Sequence, residues 1–138
     1  MLQGFMAASL FGLAIGLAAM QPQDPHRNLL DAIRSVESMD GKRLVGDDGK
    51  AIGPYQIHEV YWRDAVRHQP SIGGAYRDCM DKDYSERIVR AYWDRYAPSD
   101  ASDETLARIH NGGPNGAGKP ATLPYWSKVK AKMERHDA

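Results

Sequence analysis

Cysteine is almost missing from this 138-residue chain, with Cys79 the only one. An intrachain disulfide is therefore impossible, and so is a cysteine-rich zinc site. A lone thiol reads instead as a small buried hydrophobe. An excess of charge of one sign is missing too, because 18 Lys and Arg balance 18 Asp and Glu. Non-specific nucleic-acid affinity comes mostly from phosphate neutralisation and needs a basic excess, so no nucleic-acid partner is expected. Long apolar runs are absent with one exception, and no internal repeat, low-complexity tract or second domain is visible. At 42 % hydrophobic and 26 % charged, what remains is the composition of an ordinary globular domain.

The exception, residues 5–20, carries no charge and is apolar apart from Ser9 and two glycines. It falls short of the roughly 20 apolar residues that a bilayer-spanning helix needs. Gly16, Ala18 and Ala19 lie just before a polar, proline-containing stretch, which suits cleavage of an export signal near residues 18–20. Residues 1–20 are thus read as a signal peptide and 21–138 as the mature domain, secreted or periplasmic. No Lys or Arg precedes the run, and an uncleaved segment would leave the chain anchored in a membrane. The mature 118 residues are enough to bury a core without staples.

Leu29, Leu30, Ile33 and Val36 repeat at helical spacing, and Asp40-Gly41 marks the turn after them. Leu44-Val45 and Ala51-Ile52 flank Asp47-Asp48-Gly49-Lys50, the pattern of a short hairpin. Ile57, Val60, Tyr61 and Ala65 predict a second helix over residues 56–67. Residues 71–81 read as a loop with a helical turn. A third helix is predicted over residues 82–96, stopped by Pro98. Ser102 caps a short helix through Ile109. Residues 111–120 read as a Gly/Pro loop, and a basic helix over 123–135 closes the chain. The fold class is mainly α with one small β element (α+β). On the predicted helices, Trp62, Tyr92 and Trp93 are assigned to the core.

Two motifs fail on inspection. Gly113 to Lys119 has the spacing of a phosphate loop, but Pro120 stands where the magnesium-binding hydroxyl belongs and Pro124 would break the following helix. No nucleotide is expected. His58-Glu59 resembles the start of a zincin helix, but Trp62 occupies the second histidine position, so no metal is expected either. A different constellation remains. Glu37 ends the first predicted helix, and Asp47 and Asp48 follow ten and eleven residues later in the hairpin. Glycoside hydrolysis uses two carboxylates in unlike surroundings: one keeps its proton for the leaving oxygen, the other stays ionised. Spacing alone fits equally a surface helix end followed by an acidic turn, which is the commoner arrangement.

Longer segments carry a resemblance. Gly53-Pro54-Tyr55-Gln56-Ile57-His58-Glu59-Val60-Tyr61-Trp62 resembles the G-[YP]-[FY]-Q-I-K-E-x-Y-W segment of invertebrate-type (destabilase-like) lysozymes. The stretch from Ala107 through His110-Asn111-Gly112-Gly113-Pro114 to Gly116 is similar to that family's A-R-x-H-N-G-G-P-x-G, and Thr122 to Trp126 to its T-x-x-Y-W. Glu37-Ser38 stands where the family has a Glu-Ser pair at the end of its first helix. The ordered motifs cover about residues 29–130.

The resemblance implies a lysozyme-like fold and cleavage of the β-1,4 bond between N-acetylmuramic acid and N-acetylglucosamine in peptidoglycan, without a cofactor and by a monomer. Glu37 carries over as general acid. Asp47 matches the family's aspartate slightly better than Asp48. Tyr55, Gln56, His110, Asn111 and Gly112 fall in the motif segments expected to bind substrate, with glycine allowing close backbone approach. The chain departs from the family in lacking disulfides, in carrying His58 for the usual lysine and in its neutrality, so ionic attraction to wall polymers should be weak. These departures fit a cysteine-poor bacterial wall-remodelling relative better than an animal defence enzyme. Two other classes stay open: a lytic transglycosylase using Glu37 alone, and a wall-binding module without activity. Ser38 and His110 as a nucleophile and base lack a third orienting group.

Overall fold

Leu29, Leu30 and Ile33 bury one face of helix α1 (Arg27–Ser38). The helix ends because Met39, Asp40 and Gly41 all take left-handed backbone, with φ of 52°, 60° and 84°. The fully buried Ser38 closes that end: its hydroxyl donates to the Arg34 carbonyl at 3.0 Å and accepts from the Gly41 amide at 2.9 Å. The computed structural model describes residues 16, 18–20 and 22–138. Apart from residues 16 and 18–20, the segment read as an export signal lies outside the described residues. Among those described, no helix is long and apolar enough to cross a membrane.

Strands β1 (Val45–Gly46), β2 (Ala51–Ile52) and β3 (Ile57–His58) form one antiparallel sheet in that order. Val45 faces Ile52, and Ile52 in turn faces Ile57. The third strand replaces the first turn of the second predicted helix, which begins only at Glu59 (α2, Glu59–His68). Gln56 has a φ of 48°, which no helix interior tolerates, and Val60 is 64 % exposed, so the apolar period there does not reflect one buried helical face. At Gly53 (φ +80°) a β-carbon would lie 1.8 Å from the Cys79 carbonyl oxygen. Only glycine allows the hairpin to close onto the turn at Tyr76–Met80. The Tyr76 hydroxyl clamps the same sheet, donating to the Ile57 carbonyl at 2.7 Å with the Lys50 carbonyl at 3.1 Å.

Helix α3 (Lys82–Tyr96) spans the residues predicted for it. Asp81 caps it by accepting from the Tyr84 amide at 2.8 Å, and Ala97 is extended because Pro98 follows. Helices α2 and α4 (Asp103–Gly112) pack against α3, while α5 (Leu123–His136) packs on α1 and α4. Ser102 caps α4, which runs past Ile109 to Gly112, so His110 sits in its last turn together with Asn111, the first residue of the expected loop. Gly113, at φ 85°, ends it. A carboxylate sits deep in this helical layer: Glu86 accepts from both Arg27 nitrogens at 2.7 and 2.8 Å and from the Tyr55 hydroxyl at 2.7 Å. Trp93 is buried and donates to the Leu106 carbonyl, and Tyr92 stacks on Tyr61 at 3.7 Å. Tyr92 and Trp93 therefore belong to the core.

Candidate active site

The end of α1, the hairpin and the last turn of α4 converge on one cavity of about 210 Å³. Glu37 and Asp47 both line it, together with Ala51, Gln56, His58, Tyr61, His110 and Asn111. The two carboxyl groups live in unlike surroundings. Glu37 is 20 % exposed and lies 3.5 Å from the His110 ring. Asp47 is 60 % exposed, and the His58 ring lies 3.2 Å from its carboxyl group. The backbone aims this aspartate: Asp47 and Asp48 both have left-handed φ, 50° and 53°. Strain of this kind persists only where surrounding structure fixes it, and it gathers at working sites. Asp48 does not line the cavity.

His110 is nearly enclosed and has both ring nitrogens engaged. Its Nε2 lies 3.1 Å from the Tyr55 carbonyl oxygen, which can only accept, so that nitrogen carries hydrogen. Nδ1 pairs with the Tyr61 hydroxyl at 2.9 Å. The tautomer with hydrogen on Nε2 satisfies both contacts and turns the same N–H toward Glu37. Burial, first, and then the charges of Tyr92 and Glu37 push the Tyr61 phenol well above its ordinary range, so it keeps its hydrogen.

The sequence model of the Destabilase family matches residues 26–132. The chain belongs to the destabilase family. It is 40 % identical over 97 residues to a lysozyme of Ostrea edulis, covering 67 % of this chain and 63 % of that protein. With invertebrate-type lysozyme 6 of Caenorhabditis elegans it shares 39 % identity over 88 residues, covering 56 % of this chain and 64 % of that protein. Among solved structures it is similar to Tapes japonica lysozyme, with a TM-score of 0.65 and 32 % identity over 75 % of this chain and 87 % of that one. The chain spans a little under two thirds of the length of these two curated relatives. The α+β, lysozyme-like architecture expected from the destabilase motifs is the one observed.

The destabilase segments do not all reach the cavity. Gln56 and Asn111 line it beside the two carboxylates. Tyr55 does not: its ring is fully buried and its hydroxyl serves Glu86, so only its backbone carbonyl bears on the site, through His110. His110 reaches the cavity edge with no ring nitrogen to spare. Gly112 faces the other way, where a β-carbon would lie 2.5 Å from the Thr122 methyl group. Arg108 ties the same loop by donating to the Thr122 hydroxyl at 2.8 Å and to the Lys119 carbonyl at 3.0 Å. Ser38 is enclosed at the helix end and has no access to a substrate. Among the described residues no cluster of three or more His, Cys, Asp or Glu could hold a metal ion. Sequence reasoning missed Tyr61 and His58 as cavity residues. Both stand in the segment after Gly53: His58 pairs with Ala51 across the sheet, and Tyr61 is carried by the first turn of α2.

Proposed function

We propose that this destabilase-family chain is a peptidoglycan hydrolase of the lysozyme type. It cuts the β-1,4 bond between N-acetylmuramic acid and N-acetylglucosamine, with Glu37 as general acid and Asp47 as second carboxylate. One observation carries the reading: a half-buried glutamate and a solvated aspartate line the same cavity. The proton of Glu37 passes to the leaving glycosidic oxygen as its bond to the anomeric carbon breaks. Asp47, the more exposed of the two, supports the oxocarbenium-like charge, and water completes the product. Gln56 and Asn111 offer amide donors and acceptors to sugar hydroxyl and acetamide groups, while His110 lines the cavity with both ring nitrogens engaged and Tyr55 and Gly112 lie behind it. The family relationship supports the same substrate class.

The test is digestion of purified cell walls, followed by mass spectrometry of the products. Reducing ends are expected from wild type and none from Glu37→Gln. Anhydro-muramic ends would instead mean a transglycosylase, and binding without turnover a wall-binding module. The chain is also proposed to act outside the cytoplasm after loss of residues 1–20. N-terminal sequencing of the native protein should then begin near residue 20 or 21, and an intact Met1 in the membrane fraction would overturn that.

A further inference from the structure

The 18 basic and 18 acidic side chains of this chain cancel, but they are not evenly placed. Helices α1 and α5 pack together and leave a groove of about 470 Å³ between them. Ser35, Val36 and Ala131 line it with three cations, Lys128, Lys132 and Arg135. The cations stand four and three residues apart, so they share one face of α5 at successive rises of about 6 and 4.5 Å. Among the described residues none of the three takes part in an ion pair, and no acidic side chain lines the groove. Asp31 of α1 is held by Arg27 at 3.5 Å, Glu37 turns to His110, and Asp137 accepts from Asn28 at 3.0 Å. Glu134 is exposed and lies outside the groove. Like charges one turn apart weaken a helix, so an uncompensated row needs a reason. The helix dipole supplies one for Arg135, in the last turn, and none for Lys128.

We infer that this groove is a docking surface for a linear polyanion, a polyol phosphodiester of the kind carried on bacterial wall glycan. A row of cations without acids matches a chain whose negative charge repeats, and lysine ammonium groups meet phosphate as point charges. Val36 and Ala131 give the floor an apolar strip for the polyol carbons between phosphates. A lipid surface fits less well. Val129 and Met133 of α5 pack into the core, and the exposed residues from Ser127 to Arg135 are all polar, which leaves no apolar face to insert. A nucleic acid would need aromatic faces for its bases, and none lines the groove. Helix α1 carries Val36 in the groove and Glu37 in the cavity, so a polymer docked here holds the wall beside the two carboxylates. The wall as the setting comes from the lysozyme reading, whereas the docking itself needs no turnover.

The probe is soluble poly(glycerol phosphate), titrated calorimetrically into the full chain at low salt. Wild type should bind it, and more weakly as salt rises. The combined variant Lys128→Gln, Lys132→Gln and Arg135→Gln should bind about tenfold or more weakly, with a flatter salt dependence. It should melt no lower than wild type, because the like charges on one face have gone. Its kcat and KM on a phosphate-free muropeptide oligomer should be unchanged. An equal charge change at Lys42, Arg43 and Lys130, all exposed and outside the groove, should cost far less affinity. If it costs as much, the attraction is diffuse and the inference fails. Tighter binding to phosphatidylglycerol vesicles than to the polymer would overturn it too. Cleavage of walls by a wild type that does not bind the polymer would sink the inference and keep the lysozyme reading. Polymer binding in the groove by a wild type that cuts no wall would do the opposite.

Discussion

Glu37 and Glu86 are both shielded glutamates on helices, and the molecule treats them in opposite ways. Glu86 is 9 % exposed and meets the Arg27 guanidinium through both nitrogens, with the Tyr55 hydroxyl and the Lys82 ammonium completing its shell. Burial works against its charge, yet the hydrogen bonds from Arg27, then Tyr55 and Lys82, outweigh burial and hold the carboxyl down at about 2. Glu37 has a looser shell, with the His110 ring at 3.5 Å, and one side faces the cavity. Closed donors make a carboxylate a permanent part of the scaffold. A looser shell on the cavity side leaves room for a substrate oxygen to be the partner that matters.

Substitution should separate the two. Glu37→Gln should cost about 10²–10⁴-fold in wall cleavage, the range for losing a general acid, and leave the thermal melt nearly unchanged. Glu86→Gln should do the reverse, keeping the cleft chemistry while lowering unfolding free energy in urea by about 3 kcal/mol. That is the low end for breaking a buried ion pair, because the Arg27 side chain is 40 % exposed. The pH dependence of that stability sharpens the contrast. The folded Glu86 carboxyl lies below its ordinary value of 4.5, so its contribution is complete above that pH and disappears as pH falls toward 2. Acid melts of wild type should show this loss, and those of Glu86→Gln should show less of it. The smallest effects belong to the hairpin. Asp47→Asn should lower activity about tenfold or more, as for loss of an electrostatic stabiliser, while Asp48→Asn on the same wall preparation should change little. The reverse order would transfer the role to Asp48, and two active variants would favour a transglycosylase.

Much of this contrast was hidden from the sequence. Local patterns located α1, the hairpin and both ends of α3, because apolar spacing, turn residues and Pro98 act within a few positions of where they stand. Glu37 and Asp47 were legible for the same reason: one closes a helix and the other opens a turn. Tyr55 was not. It lies in a segment beside the cleft, but its hydroxyl answers to Glu86, 31 residues away, and no spacing rule encodes such a partner. The end of α2 nearest the site was misread because Ile57 is buried for a strand's reason, facing Ile52. His110 reads as a free sugar contact until the Tyr55 carbonyl and Tyr61 hydroxyl are seen to occupy its nitrogens.

Cys79 carries a consequence beyond packing. Its side chain is fully buried, and burial, then Asp78, pushes the thiol up to about 12, so at neutral pH almost no thiolate exists to attack or be attacked. With no intrachain bridge to form and its one sulfur out of reach, the fold is indifferent to the redox state of its surroundings. It can be completed equally well in a reducing cytoplasm or in an oxidising space outside it, and it needs no isomerase to sort its bonds.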